Sequence, residues 1–137
     1  MKSDPKECLY CQNNETLHNL MIEIAQLSVS RVFLFKEQTY RGRCLVAYKD
    51  HVNDLNELSD EDRNAFMADV ARVTRAMQKA FQPEKINYGA YSDKLSHLHF
   101  HLAPKYVDGP DYGGIFQMNP GKVYSVSYTH LTLPTIR

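Results

Sequence analysis

Three histidines at alternate positions are the strongest chemical signal in this sequence. His97, His99 and His101 are separated by Leu98 and Phe100. Because side chains alternate across a β-strand, the three imidazoles share one face and the apolar residues share the other. A neutral imidazole is a nucleophile, a proton carrier and a metal ligand near physiological pH. The spacing therefore predicts a strand that packs by its apolar face and carries chemistry on the opposite face.

Three interpretations of this segment are compatible with the residues alone. In the first, the histidines are half-exposed surface groups, but the interleaved apolar residues favour a built site because buried polar groups need partners. In the second, they bind a metal in a cupin-type fold, which needs more short strands and has no place for the long helix predicted below. In the third, one histidine is a nucleophile and the others orient it and donate protons.

The cysteines suggest a metal site close to the N-terminus. Cys8 and Cys11 have C-x2-C spacing, and two thiolates so placed can chelate one Zn²⁺. The alternative is a pair of free cysteines. Cys44 lies within an apolar segment and is predicted to be a core residue. An odd cysteine count, with no signal-peptide pattern at the N-terminus, favours a reducing compartment, so we expect a cytoplasmic protein.

The elements that must position these residues predict an α+β fold. Ser59 can cap a helix that begins with three acidic residues and runs to about Phe81, before Pro83. Apolar residues recur at helical spacing along this segment, so its apolar face should cover a sheet. Segments rich in β-forming residues predict five strands, over 21–27, 30–35, 43–48, 86–91 and 97–103.

Length and charge fit one domain without a general affinity for polyanions. The chain has 137 residues, and its 16 Lys+Arg balance 16 Asp+Glu, which argues against binding to nucleic acid or to an anionic membrane. It has no apolar run of the length that a membrane helix needs. We expect a single domain over residues 1–122. Residues 123–137 contain no acidic side chain and resemble translated sequencing-adapter DNA, so this tail could be non-native.

The sequence resembles the histidine-triad (HIT) superfamily of nucleotide hydrolases and transferases. His97 to Ala103 is similar to the HxHxH signature of that family, and residues 42–51, Gly-Arg-Cys-Leu-Val-Ala-Tyr-Lys-Asp-His, resemble its G-H-x-L-V-x-P-K-x-H segment. The C-x2-C pair resembles the zinc-binding start of many bacterial members. The likeness covers about residues 6–108. It implies a HIT-like antiparallel five-stranded sheet with one long helix and a shorter helix, and a homodimer.

The resemblance also implies a nucleoside-phosphate hydrolase acting on nucleoside phosphoramidates or dinucleoside polyphosphates, with a purine nucleotide as substrate. His99 would attack the α-phosphorus, with its second nitrogen bonded to the backbone carbonyl of His97. His101 would donate a hydrogen bond to the phosphate or the leaving atom. Two alternatives stay open: a nucleotidyltransferase or phosphorylase of the same superfamily, and a non-catalytic nucleotide- or zinc-binding module.

The remaining site residues follow from the same resemblance. His51 and His97 are implied to complete a structural Zn²⁺ site with Cys8 and Cys11. Arg43 stands where many members have a histidine, and it could either clamp a phosphate oxygen or be an ordinary surface residue. Two further residues are candidate substrate contacts, each with a structural alternative: Lys94 in a turn and Asn87 on a strand.

Overall fold

The structure, a computed structural model, describes residues 4–91 and 93–123. The tail that could be non-native therefore lies outside the described residues, except for Val123. The fold is α+β, as predicted, and five strands form one antiparallel sheet in the order β1-β2-β3-β5-β4. The strands are β1 (Met21–Gln26), β2 (Ser30–Phe35), β3 (Cys44–Tyr48), β4 (Lys85–Gly89) and β5 (His99–Lys105).

One face of the sheet is covered by the long helix α3 (Asp60–Phe81), as the sequence predicts. The Ser59 side chain accepts a hydrogen bond from the backbone N–H of Asp62 at 3.1 Å, which caps the first turn. Phe66 is fully buried and packs edge-on against Phe100 of β5, with ring centroids 5.7 Å apart. Burial of a side chain of this size stabilises the fold by about 1.5–3 kcal/mol. The apolar side of the histidine strand therefore lies in the main core.

The opposite face is covered by two short helices, where the family resemblance implies one shorter helix. They are α1 (Leu9–Gln12) and α2 (Glu15–Leu20), and both lie in the mostly polar N-terminal segment. Tyr10 and Leu17 are buried against this face of the sheet. Each helix is too short to give a clear 3.6-residue period of apolar residues, so the sequence pattern does not reveal its position.

The histidine strand begins later than predicted. The spacing predicts a strand from His97, but β5 begins at His99, and His97 lies in a bend. The bend still keeps Leu98 in the core, because its N–H donates to the carbonyl of Val52 at 2.7 Å and its carbonyl accepts from Tyr48 N–H at 3.0 Å. Because His97 lies outside β5, its carbonyl is not part of the hydrogen bonding of the sheet and can accept a hydrogen bond from a side chain.

No helix within residues 4–91 and 93–123 is both long and apolar enough to cross a membrane.

The segment after β5, residues 106–123, returns across the sheet and is held there by a buried carboxylate; we call it the returning segment. Glu37 is 4% exposed and accepts hydrogen bonds from Lys122 N–H at 2.7 Å and Val123 N–H at 3.0 Å. It also accepts from the backbone and hydroxyl of Thr39. Burial raises the pKa of Glu37, but these donors outweigh it, and the pKa lies below its ordinary value.

We expect Glu37→Gln to lower the free energy of unfolding at pH 7 by about 1–3 kcal/mol, because one amide cannot accept all four donors. The folded pKa is depressed, so the contribution of Glu37 is fully present above its unfolded pKa of about 4.3 and is lost as pH falls through the folded value. Urea unfolding of both proteins between pH 7 and pH 3 measures this. A difference that stays constant over that range would contradict the assignment.

Candidate active site

The three imidazoles form a row on the sheet face opposite α3. The rings of His99 and His101 lie 5.1 Å apart, and Tyr10 packs 5.2 Å from the ring of His97 and 5.3 Å from that of His99. All three histidines are buried, with 2%, 4% and 6% exposure along the chain. The small residue Ala47 of β3 stands opposite His99 in the strand register. The interpretation as half-exposed surface histidines is therefore wrong.

The middle ring has one defined hydrogen-bond partner. Nδ1 of His99 lies 2.6 Å from the backbone carbonyl oxygen of His97, the contact that the family resemblance implies. A carbonyl can only accept, so Nδ1 carries the proton and Nε2 keeps its lone pair. Burial lowers the pKa of His99 and the bond to the carbonyl raises it, with burial the larger effect. The ring is therefore neutral at pH 7 and can act as a nucleophile through Nε2.

A cavity of about 620 Å³ opens beside this row of rings, a size that suits a small-molecule ligand. Its polar lining consists of His99 and His101 together with Asp93, Lys94 and Asn119. Its remaining walls are largely apolar and come from α1, α2, the strands β1 to β3 and the returning segment. These apolar lining residues include Leu9, Tyr10, Leu20, Met21, Phe35, Leu45 and Met118. The arrangement can hold a ligand with a flat apolar part and a reactive polar group at the imidazoles.

Arg43 requires a correction. A direct contact with a phosphate oxygen was one expectation and an exposed surface position was the other. The structure shows a fully buried side chain that does not line the cavity. Its guanidinium donates to the carbonyls of Gln117 at 3.2 Å and Met118 at 3.0 Å, and lies 3.0 Å from Nδ1 of His101. Arg43 therefore contacts His101, at the end of the row of rings that is farther from His97.

The two other candidate substrate contacts lie in different places. Lys94 is exposed and lines the cavity together with Asp93, in the turn before the histidines. Asn87 does not line this cavity; it pairs with Ala103 in the sheet and faces a separate depression beside Lys105 and Tyr112. Asn87 therefore lies apart from the cavity of the three histidines, because β4 is the strand beyond β5, and a contact between Asn87 and the nucleotide stays a prediction.

Several residues that line the cavity are not predicted as site residues from the sequence. Tyr10 lies between the two cysteines of the C-x2-C pair, and this position is a sequence signal that could have identified it as a site residue. Met118 and Asn119 come from a segment without periodicity, and only the return of the chain across the sheet places them beside the rings. No local pattern identifies them as site residues.

Cys8, Cys11 and His51 come together with His97, the first histidine of the row, and the ligand atoms of all four residues lie within 4.8 Å of one another. Nδ1 of His97 is 3.3 Å from Sγ of Cys8 and 3.6 Å from Sγ of Cys11, and Nδ1 of His51 is 3.3 Å from Sγ of Cys11. Tetrahedral zinc with ordinary bond lengths places sulfur and nitrogen ligands about 3.6 Å apart.

The hydrogen bonding of His97 also fits a metal ligand. Its Nε2 lies 2.7 Å from the carbonyl oxygen of Tyr48, so Nε2 carries the proton and the lone pair of Nδ1 points at the two cysteines. Four protein ligands fill a tetrahedral shell and leave no open position, which suits a structural metal and not a catalytic one. Cys44 is buried in the core of the other sheet face, as predicted, and is not part of this cluster.

Comparison with known proteins agrees with the geometry. A family model described as HIT domain matches residues 15–108. An adenosine 5'-monophosphoramidase of Schizosaccharomyces pombe is 32% identical over 89 residues, which are 61% of this chain and 64% of that protein. The protein named hit of Bacillus subtilis is 27% identical over 90 residues, 62% of each chain. The match thus spans less than two thirds of either curated relative.

Solved structures share the architecture. The crystal structure of a histidine triad protein from Bradyrhizobium japonicum superposes with a TM-score of 0.74 at 18% identity, covering 82% of this chain and 84% of that one. At this identity the likeness concerns the fold alone. It nevertheless removes the cupin-type alternative, because the sheet and helix arrangement is that of the matched structures.

Proposed function

The chain belongs to the HIT domain family, and from this premise we propose that it is a nucleoside-phosphate hydrolase that works through a nucleotidyl-histidine intermediate. One observation carries the proposal. The Nδ1–H of His99 is fixed on the His97 carbonyl at 2.6 Å, which leaves Nε2 unprotonated on a ring that lines the cavity. A ring held in this way is ready to attack without first losing a proton.

The proposed reaction has two displacements at phosphorus. In the first, Nε2 of His99 bonds to the α-phosphorus while the bond from phosphorus to the leaving amine or phosphate breaks. The adjacent His101 donates a hydrogen bond to the leaving atom and passes this proton to it, so that an amine leaves as a neutral molecule. In the second, water attacks the same phosphorus and returns a proton to His101, the P–N bond breaks, and a nucleoside monophosphate leaves while both rings return to their neutral forms. Dividing the reaction in this way lowers each barrier.

We propose nucleoside phosphoramidates or dinucleoside polyphosphates with a purine base as the substrates. The largely apolar walls, with the aromatic rings of Tyr10 and Phe35, suit a base, and the imidazole end suits a phosphate. Lys94 lines the same cavity and can contribute a positive charge near an anionic ligand. The relative from Schizosaccharomyces pombe, named an adenosine 5'-monophosphoramidase, supports the phosphoramidate class.

The proposal is tested by incubating the purified protein with adenosine 5'-phosphoramidate or diadenosine tetraphosphate and measuring AMP by chromatography. We expect many turnovers of AMP without added phosphate. A rate that depends on inorganic phosphate would indicate the phosphorylase or transferase alternative. Binding of AMP by calorimetry with no turnover over hours would indicate a non-catalytic binding module and overturn the proposal.

We also propose that Cys8, Cys11, His51 and His97 bind one structural Zn²⁺, in the manner of bacterial family members with an N-terminal C-x2-C pair. The proposal is supported by the sulfur–nitrogen separations of 3.3–3.6 Å and by the lone pair that His97 directs at the cysteines. When bound, the metal supplies a tie between the N-terminal segment and the row of histidines. It takes no part in the displacement at phosphorus.

Finally, we propose a homodimer formed along the outer edge of β4. This strand ends the sheet order among the described residues, and Tyr88 on it is 53% exposed. An unpaired strand edge can pair with the same edge of a second copy, which makes the two sheets continuous. Light scattering after size exclusion should give twice the mass of the chain.

A further inference from the structure

Arg43 is a charged side chain that is buried next to His101, at one end of the row of histidines. We propose that it is a positioning residue that fixes the proton of His101 on Nε2, so that this ring meets the leaving group as a hydrogen-bond donor. The inference rests on the proposed function and deepens it, because it assigns the origin of the donor in the first displacement. It also gives a role to a residue that stands where many family members have a histidine.

The hydrogen-bond geometry fixes the direction of the contact. Nη2 of Arg43 lies 3.0 Å from Nδ1 of His101. A guanidinium has five N–H donors and no acceptor, so Nδ1 must be the acceptor and cannot carry a proton. The proton of the neutral ring is then on Nε2. His101 and His99 are therefore opposite tautomers, and their ring centroids lie 5.1 Å apart.

The surroundings of His101 keep its ring in the neutral form. Burial, the charge of Arg43 and the neighbouring His99 lower the pKa of His101 to about 3. A protonated ring would place an N–H of Nδ1 against the guanidinium N–H. The aromatic rings of Phe35 and Phe116 complete its immediate surroundings, at 6.2 Å and 6.3 Å between centroids.

The guanidinium is itself held from several sides. It lies over the rings of Phe35 and Phe116, at 4.5 Å and 5.2 Å from the centroids, and Nη1 donates to the carbonyls of Gln117 and Met118. These two carbonyls lie outside residues 15–108, the part that the family model matches. Two of the hydrogen bonds that fix the guanidinium of Arg43 therefore come from the returning segment, which the family model does not match.

The burial of this charge is not explained by stability alone. Arg43 is 0% exposed, and its Nε has no hydrogen-bond partner within the described parts of the chain. An apolar residue of similar volume would avoid both costs, since replacing buried charges by hydrophobic residues is often neutral or stabilising. What an apolar residue cannot provide is a donor that is permanently directed at Nδ1 of His101.

A direct test uses the unmodified, metal-loaded protein. Labelling histidine with ¹⁵N and recording long-range ¹H–¹⁵N correlations at pH 7 distinguishes protonated from unprotonated ring nitrogens, with His101→Gln to assign the signals. We expect His101 to be protonated on Nε2 and His99 on Nδ1. A His101 ring protonated on Nδ1, or averaged between the two forms, would overturn the proposal whether or not the protein has activity.

A kinetic test separates positioning from support of the fold. An amine leaving group needs a donor, whereas 4-nitrophenolate leaves without one. We expect Arg43→Met to lower kcat about a hundredfold for an adenosine 5'-phosphoramidate and less than about threefold for adenosine 5'-(4-nitrophenyl) phosphate. Arg41→Met, at an exposed position, is the matched control and should leave both rates unchanged.

An equal loss of rate on both substrates would mean that Arg43 only supports the fold, and would overturn the inference. If Arg43→Met does not fold, the ¹⁵N spectrum of the unmodified protein still tests which nitrogen of His101 carries the proton. The proposed function is judged separately, because it depends on His99: full activity of His99→Ala would remove the proposed function, whereas uniform loss in Arg43→Met with an inactive His99→Ala removes the inference alone.

Discussion

Replacing His99 with alanine will lower kcat for AMP release by at least about a thousandfold, because the variant has no group that can form the bond to phosphorus. Loss of a nucleophile is among the largest effects that a single substitution has on an enzyme, and neighbouring residues do not compensate for it. His101 cannot take over as nucleophile, since its Nδ1 lies against Arg43 at 3.0 Å.

The variant should still fold and bind nucleotide. The ring of His99 is one of many side chains that line the cavity, and the apolar walls remain when it is removed. We therefore expect the Kd for AMP, measured by calorimetry, to change less than about tenfold while turnover disappears. His18→Ala, an exposed histidine on α2, is the matched control and should retain the rate of the unmodified protein.

Removing the metal site should cause the largest loss of stability. Cys8 is fully buried and its Sγ lies 3.3 Å from Nδ1 of His97, so Cys8→Ser replaces a proposed thiolate ligand by a poor one. A metal present at a few hundred times its Kd stabilises the folded state by about 3–4 kcal/mol. For a domain of this size that corresponds to a fall in Tm of about 10 °C.

Metal analysis and calorimetry measure this effect without reference to activity. The unmodified protein should contain one zinc per chain, Cys8→Ser should contain almost none, and its Tm should equal that of the chelator-treated protein. Cys44→Ala is the matched control, because this buried cysteine lies on the other face of the sheet and its variant should keep the metal. A zinc-free unmodified protein whose Tm does not respond to chelator would remove the metal site.

The main elements could be predicted from the sequence because their signals are local. The alternation of histidines and apolar residues gives β5, and the Ser59 cap with its acidic first turn gives α3. The hydrogen bond between His99 and the His97 carbonyl is implied by the family resemblance, and it too joins residues only two positions apart. Such features depend on φ, ψ and side-chain periodicity within a few residues, which a single sequence contains.

The contacts of the row of histidines could not be predicted, because they come from distant segments. Arg43 finds its carbonyl acceptors 74 and 75 positions away, in a segment with no periodic pattern. Asn87 has the strand context expected of a site residue, but the strand order places it beyond the cavity. Burial of Arg43 is likewise a property of the assembled fold, since charged residues are ordinarily exposed.

The stereochemical course at phosphorus tests the central claim most directly. A phosphorothioate analogue of adenosine 5'-phosphoramidate with one configuration at phosphorus can be hydrolysed in H₂¹⁸O, and the configuration of the product determined. Two in-line displacements, first by His99 and then by water, predict net retention. Net inversion would mean that water attacks the substrate in a single step, and the nucleotidyl-histidine account would be wrong.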